Sequence, residues 1–370
     1  MLNEETKQRF DAWWRGEKTD RPMMRLIKAR TQPDKSKLID LQPYYKSDKD
    51  LHIGPELRVA ATRNLDVTHE FLFEAFNYVD INMGPGSMAA YLAADPEYSR
   101  DTVWYHKIET ESVRDFENLS FKKSTKYWEE HLAAVRRAVE LAGEDYFVCI
   151  PDIIENLDVL ASLRGSEELC FDLMDDPEGV QRCIQMVDDN YFSYYDAMYD
   201  IVKRKNGECC YTAFSIWGRD KVAKLQCDFS CLMSAASFEE LVIPSLKKQC
   251  DKIPYTLYHL DGKDAIRHVP ALMKLDKLNA LNWTFGAGQP DAADERWFKI
   301  YDQVMDAGKS LWLSFCDGTV EQWAGNAKKV ADRYGNKGLY FHFPVVDEKG
   351  AEIVEKTFCS GKHLFYSEER

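Results

Sequence analysis

The sequence predicts an α/β fold, a single (β/α)8 barrel, from three observations. In the C-terminal half, four short apolar runs are each followed by an amphipathic helical pattern: YTLYHL (255–260), LNALNWTF (278–285), SLWLSFC (310–316) and GLYFHFPV (338–345). Buried strands separated by helices pair in parallel, because each helix makes the crossover. The chain has 370 residues, enough for a barrel core of roughly 250 residues with an extension and loop insertions. Neither G-x-G-x-x-G nor a P-loop occurs, which removes the nucleotide-binding version of the competing doubly wound sheet.

Taken in order, residues 1–50 read as an N-terminal extension packed on the barrel, with polar, irregular sequence over 30–50. YVDINMG (78–84) reads as a strand. The helix over 124–143 has Ser124 or Thr125 as N-cap and Gly143 as its stop. DYFVCIPD (145–152) is the next strand. One long helix follows over 176–207, ending at Gly207, and ECCYTAF (208–214) is the strand after it. With the four C-terminal units this makes about seven or eight strand–helix units in one domain, 1–370, as a barrel requires.

A 45% hydrophobic, 13% aromatic composition supplies a sizeable core, and the net charge of −14 argues against nucleic acid or an anionic membrane as a general partner. The N-terminus carries charged side chains from its fourth residue and shows no apolar signal region. No stretch approaches the roughly 18–20 apolar residues of a spanning helix. The ten cysteines fall in apolar segments such as YFVCI and RCIQMV, as reduced core thiols do. The expected compartment is the cytoplasm, and a homodimer is left open.

In a barrel of this kind chemistry lies at the C-terminal ends of the strands. There the sequence places His259 and Asp261; Asn282 and Trp283, followed by GAGQP (286–290); Cys316 and Asp317; His342; and, after VCIP, Asp152 and Glu155. Residues two apart on an extended chain point the same way, so His259 and Asp261 can close on one cation. A third ligand from another strand, His342 or Cys316, would leave an open catalytic position. The other readings stay open: a hydrogen-bonded His259 under the rim with Asp261 capping the next helix, or metal-free acid/base chemistry. Cys316 reads first as a small apolar residue at a strand end, and His342 equally as core or ligand. Cys227 and Cys231 have the spacing of a ligand pair on a helix but lack a second pair. Tyr258, Asn282, Trp283, Phe285, Asp152 and Glu155 are the candidate substrate-binding residues.

The stretch YHLDGKDAIRHVPALMKLDKLNALNWTFGAGQP resembles the uroporphyrinogen decarboxylase superfamily, and most closely its corrinoid-dependent methyltransferase branch. KTDRPMM (18–24), INMGPGSMAAYL (81–92), LDVLASLRGSEELCFDLMDDPEGV (157–180) and LQCDFSCLMSAASFEELVIPSLKKQCD (225–251) extend the resemblance over nearly the whole chain. The resemblance implies a (β/α)8 barrel in which a zinc ion, held by a His-x-Cys pair and a distant cysteine near the last strand, activates a methyl donor or acceptor. Here His259 takes the first position, Asp261 replaces the cysteine, and His342 or Cys316 stands for the distant ligand. A His/Asp set makes a harder metal, suited to an oxygen-bound methyl group, so demethylation of a methyl ether or a related small substrate is the expected reaction.

The decarboxylase proper resembles this chain less. Its arginine-rich carboxylate clamp corresponds here to MMRLIKART, where Arg25 and Arg30 do not reproduce the pattern. The cobalt-ligating D-x-H-x-x-G stretch is missing, so a separate corrinoid protein is the implied partner. Two alternatives remain: a metal-free lyase with Asp152 or Asp261 as acid/base, and a barrel that binds a ligand without turnover.

Overall fold

The computed structural model describes residues 2–359. It is a mixed α/β chain with parallel strands, and its contacts divide it into two compact units. One comprises Lys37–Leu65 and Asn77–Leu278; the other comprises Leu2–Ser36, Asp66–Phe76 and residues from Asn279 onward. Among the described residues no helix is long and apolar enough to cross a membrane.

In the second unit the expected C-terminal strands appear as Ala280–Thr284, Ser310–Ser314 and Leu339–His342, paired in parallel in that order. The sheet gains a member from the N-terminal segment: Met23–Ala29 pairs in parallel with Leu339–His342 and antiparallel with His69–Phe73. Helices Glu295–Asp306, Val320–Tyr334 and Glu348–Phe358 follow the strands as the crossover pattern requires. Helix Glu4–Trp14 docks through Trp13, whose indole N–H donates to the Leu311 carbonyl at 3.2 Å and whose ring meets Tyr340 edge-on. The buried Arg21 guanidinium makes a two-pronged pair with Glu74, at 2.9 and 2.7 Å, and Glu74 also accepts from the Met24 amide. A buried carboxylate needs such partners to offset its desolvation.

The first unit is mostly helical, with short strands. Tyr78–Val79 pairs in parallel with Phe147–Val148, Ile150 bridges to Tyr211, and Cys209–Tyr211 turns back on Ile216–Gly218. The expected strands at 78–84, 145–152 and 208–214 are thus present in shortened form. Side chains take over where the first two ladders stop: Asn82 Oδ1 accepts from the amides of Gly84 and Asp152. The helix expected over 176–207 is Pro177–Val202. Asp176 caps it through the Gly179 amide, and it ends before Gly207, which turns with φ +92°. Thr125 is the N-cap of Lys126–Ala142 and Gly143 its stop, as expected.

A strand not expected from the sequence, Val222–Gln226, pairs in parallel with Tyr255–Asp261. Lys224 and Gln226 are polar yet buried, so the run lacks the apolar continuity by which buried strands are recognised.

His131, on helix Lys126–Ala142, is fully buried. Its Nε2 donates to the Ile81 carbonyl at 2.9 Å and its Nδ1 accepts from the Tyr91 hydroxyl at 2.7 Å. Both bonds are those of a neutral ring. Burial lowers its pKa from the ordinary 6.5 to about 4. As pH falls through this window the unfolded chain takes up the proton first, so stability is lost between pH 6.5 and about 4, by on the order of 3 kcal/mol. His131→Gln, which does not titrate, should lose less stability than the wild type between about pH 7 and about pH 4.5 in urea unfolding. Equal losses would show that His131 plays no part in acid sensitivity.

Candidate functional site

The parallel pairing of Val222–Gln226 with Tyr255–Asp261 sets the site. Its register places His259 beside Gln226, so the residues just beyond Gln226 emerge next to Asp261. Asp228, two residues past Gln226, opens a 3-10 turn over Asp228–Leu232. One ligand atom each from Asp228, His259 and Asp261 lies within 4.8 Å of the others. Asp228 and Asp261 are exposed as residues, although the Asp228 carboxyl itself is turned into the cluster, and His259 is half-buried with its ring tilted against that of Phe214.

The turn that carries Asp228 is held at several points. Asp158, on helix Asn156–Arg164, accepts from the amides of Asp228 and Phe229, both at 2.9 Å. The buried His268 donates through Nε2 to the Ser230 carbonyl at 2.9 Å, and Arg267 reaches the Met233 carbonyl. Both basic residues belong to the 3-10 segment Lys263–His268, just after the strand that supplies His259 and Asp261. Asp261 does not cap that segment; Gly262 occupies the cap position, with φ +77°.

Behind the three donors lies a buried polar cluster. Lys224 Nζ pairs with Asp152 at 2.8 Å and also donates to the Gln226 amide oxygen. Tyr211 donates to the same Asp152 at 2.8 Å. Glu155, at 0% exposure, accepts from the Gln226 amide at 2.6 Å, while Asn156 grips the Gln226 carbonyl at 3.0 Å. Glu155 Oε2 and Asn156 Oδ1 are buried with no hydrogen-bond partner among the described residues. Asn156 holds a left-handed φ of +48°, a conformation that asparagine tolerates better than most residues.

Electrostatics follow from this crowding. Burial drives the Glu155 carboxyl well above its ordinary range; Lys224 pulls it down, and Asp158 and Asp152 push it further up. The Asp228 carboxyl is pushed up to about 7 by desolvation first, then by Asp158, with Lys224 opposing and Asp261 and Asp152 adding to the rise. The Lys224 ammonium thus acts on the carboxyls of Asp152, Glu155 and Asp228, while Asp158 and Asp261 add negative charge beside them. Such an excess of negative charge is relieved by protonation or by a cation. An imidazole and two carboxylates are donors that divalent metals accept. The residues present therefore fit a divalent cation, and the missing thiolate leaves it comparatively hard.

Of the residues singled out in the sequence, His259 and Asp261 come together here, and Asp152 and Glu155 lie in the cluster behind them. Tyr258 is buried on the same strand. Asn282, Trp283, Phe285, Cys316 and His342 belong to the second unit. There Asn282 reaches toward the Trp312 carbonyl, Trp283 packs on Trp297, and His342 lies against Trp312. Phe285 is partly buried, and Cys316 is exposed beside Asp317, its thiol raised by burial and by that carboxylate. Neither His342 nor Cys316 is among the three grouped donors. Sequence reasoning missed Asp228, although it lies between Cys227 and Cys231. Its signal was its place just past a strand, and that strand went unrecognised.

No protein-family model and no curated protein sequence matches this chain. Among solved structures it is similar in fold to a methyltransferase from Methanosarcina mazei, with a TM-score of 0.60 and 12% identity over 95% of this chain and 97% of that one. At that identity the likeness is one of fold.

The donor set leads to a direct expectation. The full chain, titrated calorimetrically with Zn²⁺ or Co²⁺, should bind one ion, and Asp228→Asn and His259→Ala should each weaken binding at least about tenfold. Cys316→Ser and His342→Ala should leave it unchanged. Loss on either of those two, with Asp228→Asn silent, would move the third ligand to the second unit.

Proposed function

We propose that this chain is a methyltransferase of the uroporphyrinogen decarboxylase-like type. It takes a methyl group from a small methylated substrate, a methyl ether or similar, and passes it to a separate corrinoid protein. The observation that carries the reading is the grouping of Asp228, His259 and Asp261 at the ends of two parallel strands, in a chain whose fold is like that of a methyltransferase. On this reading the parallel strands belong to a closed (β/α)8 barrel, and its C-terminal face, where such barrels keep their chemistry, receives both substrate and partner.

Asp228, His259 and Asp261 would hold a zinc or similar ion, which would supply Lewis acidity at the site. The chain's own residues do the rest. His259 offers a ring nitrogen, with the Phe214 ring tilted against it at 5.4 Å between centroids. Asp228 and Asp261 set the charge and hardness of the site, which favours an oxygen over a thiol substrate. As the methyl carbon passes to the partner's corrinoid the C–O bond breaks, its electron pair stays on oxygen and a proton from water completes the alcohol, so positive charge near that oxygen would stabilise the transition state. Lys224 pairs with Asp152 and is linked to Asp228 through the Gln226 amide.

The test combines the full chain, Zn²⁺, a panel of aryl methyl ethers and a reduced corrinoid protein, with chromatography of the freed alcohol as readout. Alcohol should form only when the corrinoid protein is present, and His259→Ala should abolish it without unfolding the chain. Alcohol formed equally without corrinoid, or none across the panel, would contradict the proposal.

A further inference from the structure

Gln226 occupies an unusual junction. Its backbone is gripped on both sides, the amide by Glu155 and the carbonyl by Asn156, at 2.6 and 3.0 Å. Its side chain is only 4% exposed, and its orientation is fixed by charge. The amide oxygen faces the Lys224 ammonium, so the NH₂ group must point the other way. There Nε2 donates to Asp158 Oδ2 at 2.8 Å and to Asp228 Oδ2 at 3.1 Å. A flipped amide would aim its oxygen at two carboxylates and its N–H groups at an ammonium, which electrostatics forbids.

The consequence falls on Asp228. One carboxylate oxygen, Oδ2, is engaged by the amide, while Oδ1 has no hydrogen bond to the described residues. The same amide ties Asp228 to Asp158, which already holds the backbone of the turn. We infer that Gln226 is the positioning residue of the metal centre: it engages Asp228 Oδ2 and so presents Oδ1 to the cation shared with His259 and Asp261. Lys224 acts one step further out, by fixing which end of the amide faces the site. Outer groups of this kind set ligand orientation and typically change metal affinity by about 10–100-fold. The inference rests on the metal-binding part of the proposed function and is independent of methyl transfer.

The experiment uses the full chain and Co²⁺ as probe, with calorimetry for affinity and d–d absorption for coordination geometry. Gln226→Met keeps the volume and removes both amide bonds. Gln226→Asn keeps the amide but shortens its reach by one methylene, which covers the case in which the first variant fails to fold. Both should weaken Co²⁺ binding by about 10–100-fold and alter the d–d spectrum. Because Gln226 acts through Asp228, adding Gln226→Met to Asp228→Asn should cost little further affinity, whereas an independent structural effect would add in full. Unchanged affinity and spectrum in the folded Gln226 variants, or full additivity, would overturn the inference, as would a wild-type chain that binds no Co²⁺. Expected metal results in a chain that transfers no methyl group would leave this inference standing and defeat the functional proposal.

Discussion

A single buried ammonium sets the terms on which the acidic groups at the strand ends coexist. Lys224 is 2% exposed and reaches Asp152 directly and Asp228 through the Gln226 amide. Breaking a buried pair of this kind costs about 3–5 kcal/mol, because it strands the remaining charge without water. The cluster nevertheless holds more carboxyls than one ammonium can balance. Burial and the neighbouring carboxyls raise the Glu155 carboxyl well above its ordinary range, and the Asp228 carboxyl is pushed up to about 7. A dication beside Asp228 and Asp261 would relieve the same excess from the solvent side. The folding constraint and the proposed chemistry thus share one cause, a charge imbalance enclosed by the strands.

Much of this was legible in the sequence where residue type and local environment agree. The strands at 280–284, 310–314 and 339–342 are apolar runs bounded by helix signals, and they were found with small errors at their ends. Thr125 and Gly143 act as cap and stop because their chemistry is local. His259 and Asp261 share a side of their strand because extended backbone alternates. Other features depend on partners far along the chain. Val222–Gln226 hides a lysine and a glutamine that only distant Asp152, Glu155 and Asp158 make tolerable, so its pattern does not read as a strand. Asp228 was hidden with it. The strand Met23–Ala29 lies in a segment that reads as an extension, and its place is set by pairing with His69–Phe73 and with Leu339–His342, the latter more than 300 positions away.

The fold likeness and the donor set bear on different questions. At 12% identity the likeness concerns the path of the backbone, and a shared architecture hosts many chemistries. The site must therefore be argued from its own atoms. The resemblance in the sequence implies a sulfur-rich zinc site, whereas this chain offers one imidazole and two carboxylates. That difference is chemical: thiolates soften a metal and favour sulfur partners, while carboxylates leave it harder and more acidic. The substrate proposal follows this difference in the donors.

The central claim is that Asp228, His259 and Asp261 hold one divalent cation. Its most direct test is diffraction from crystals of the full chain grown with Zn²⁺, recorded on both sides of the zinc absorption edge. The account predicts one anomalous peak bonded to a His259 ring nitrogen and to carboxylate oxygens of Asp228 and Asp261, at about 2.0–2.2 Å. A peak at Cys316 or His342 instead, or no peak with His259 hydrogen-bonded to a backbone carbonyl, would contradict it.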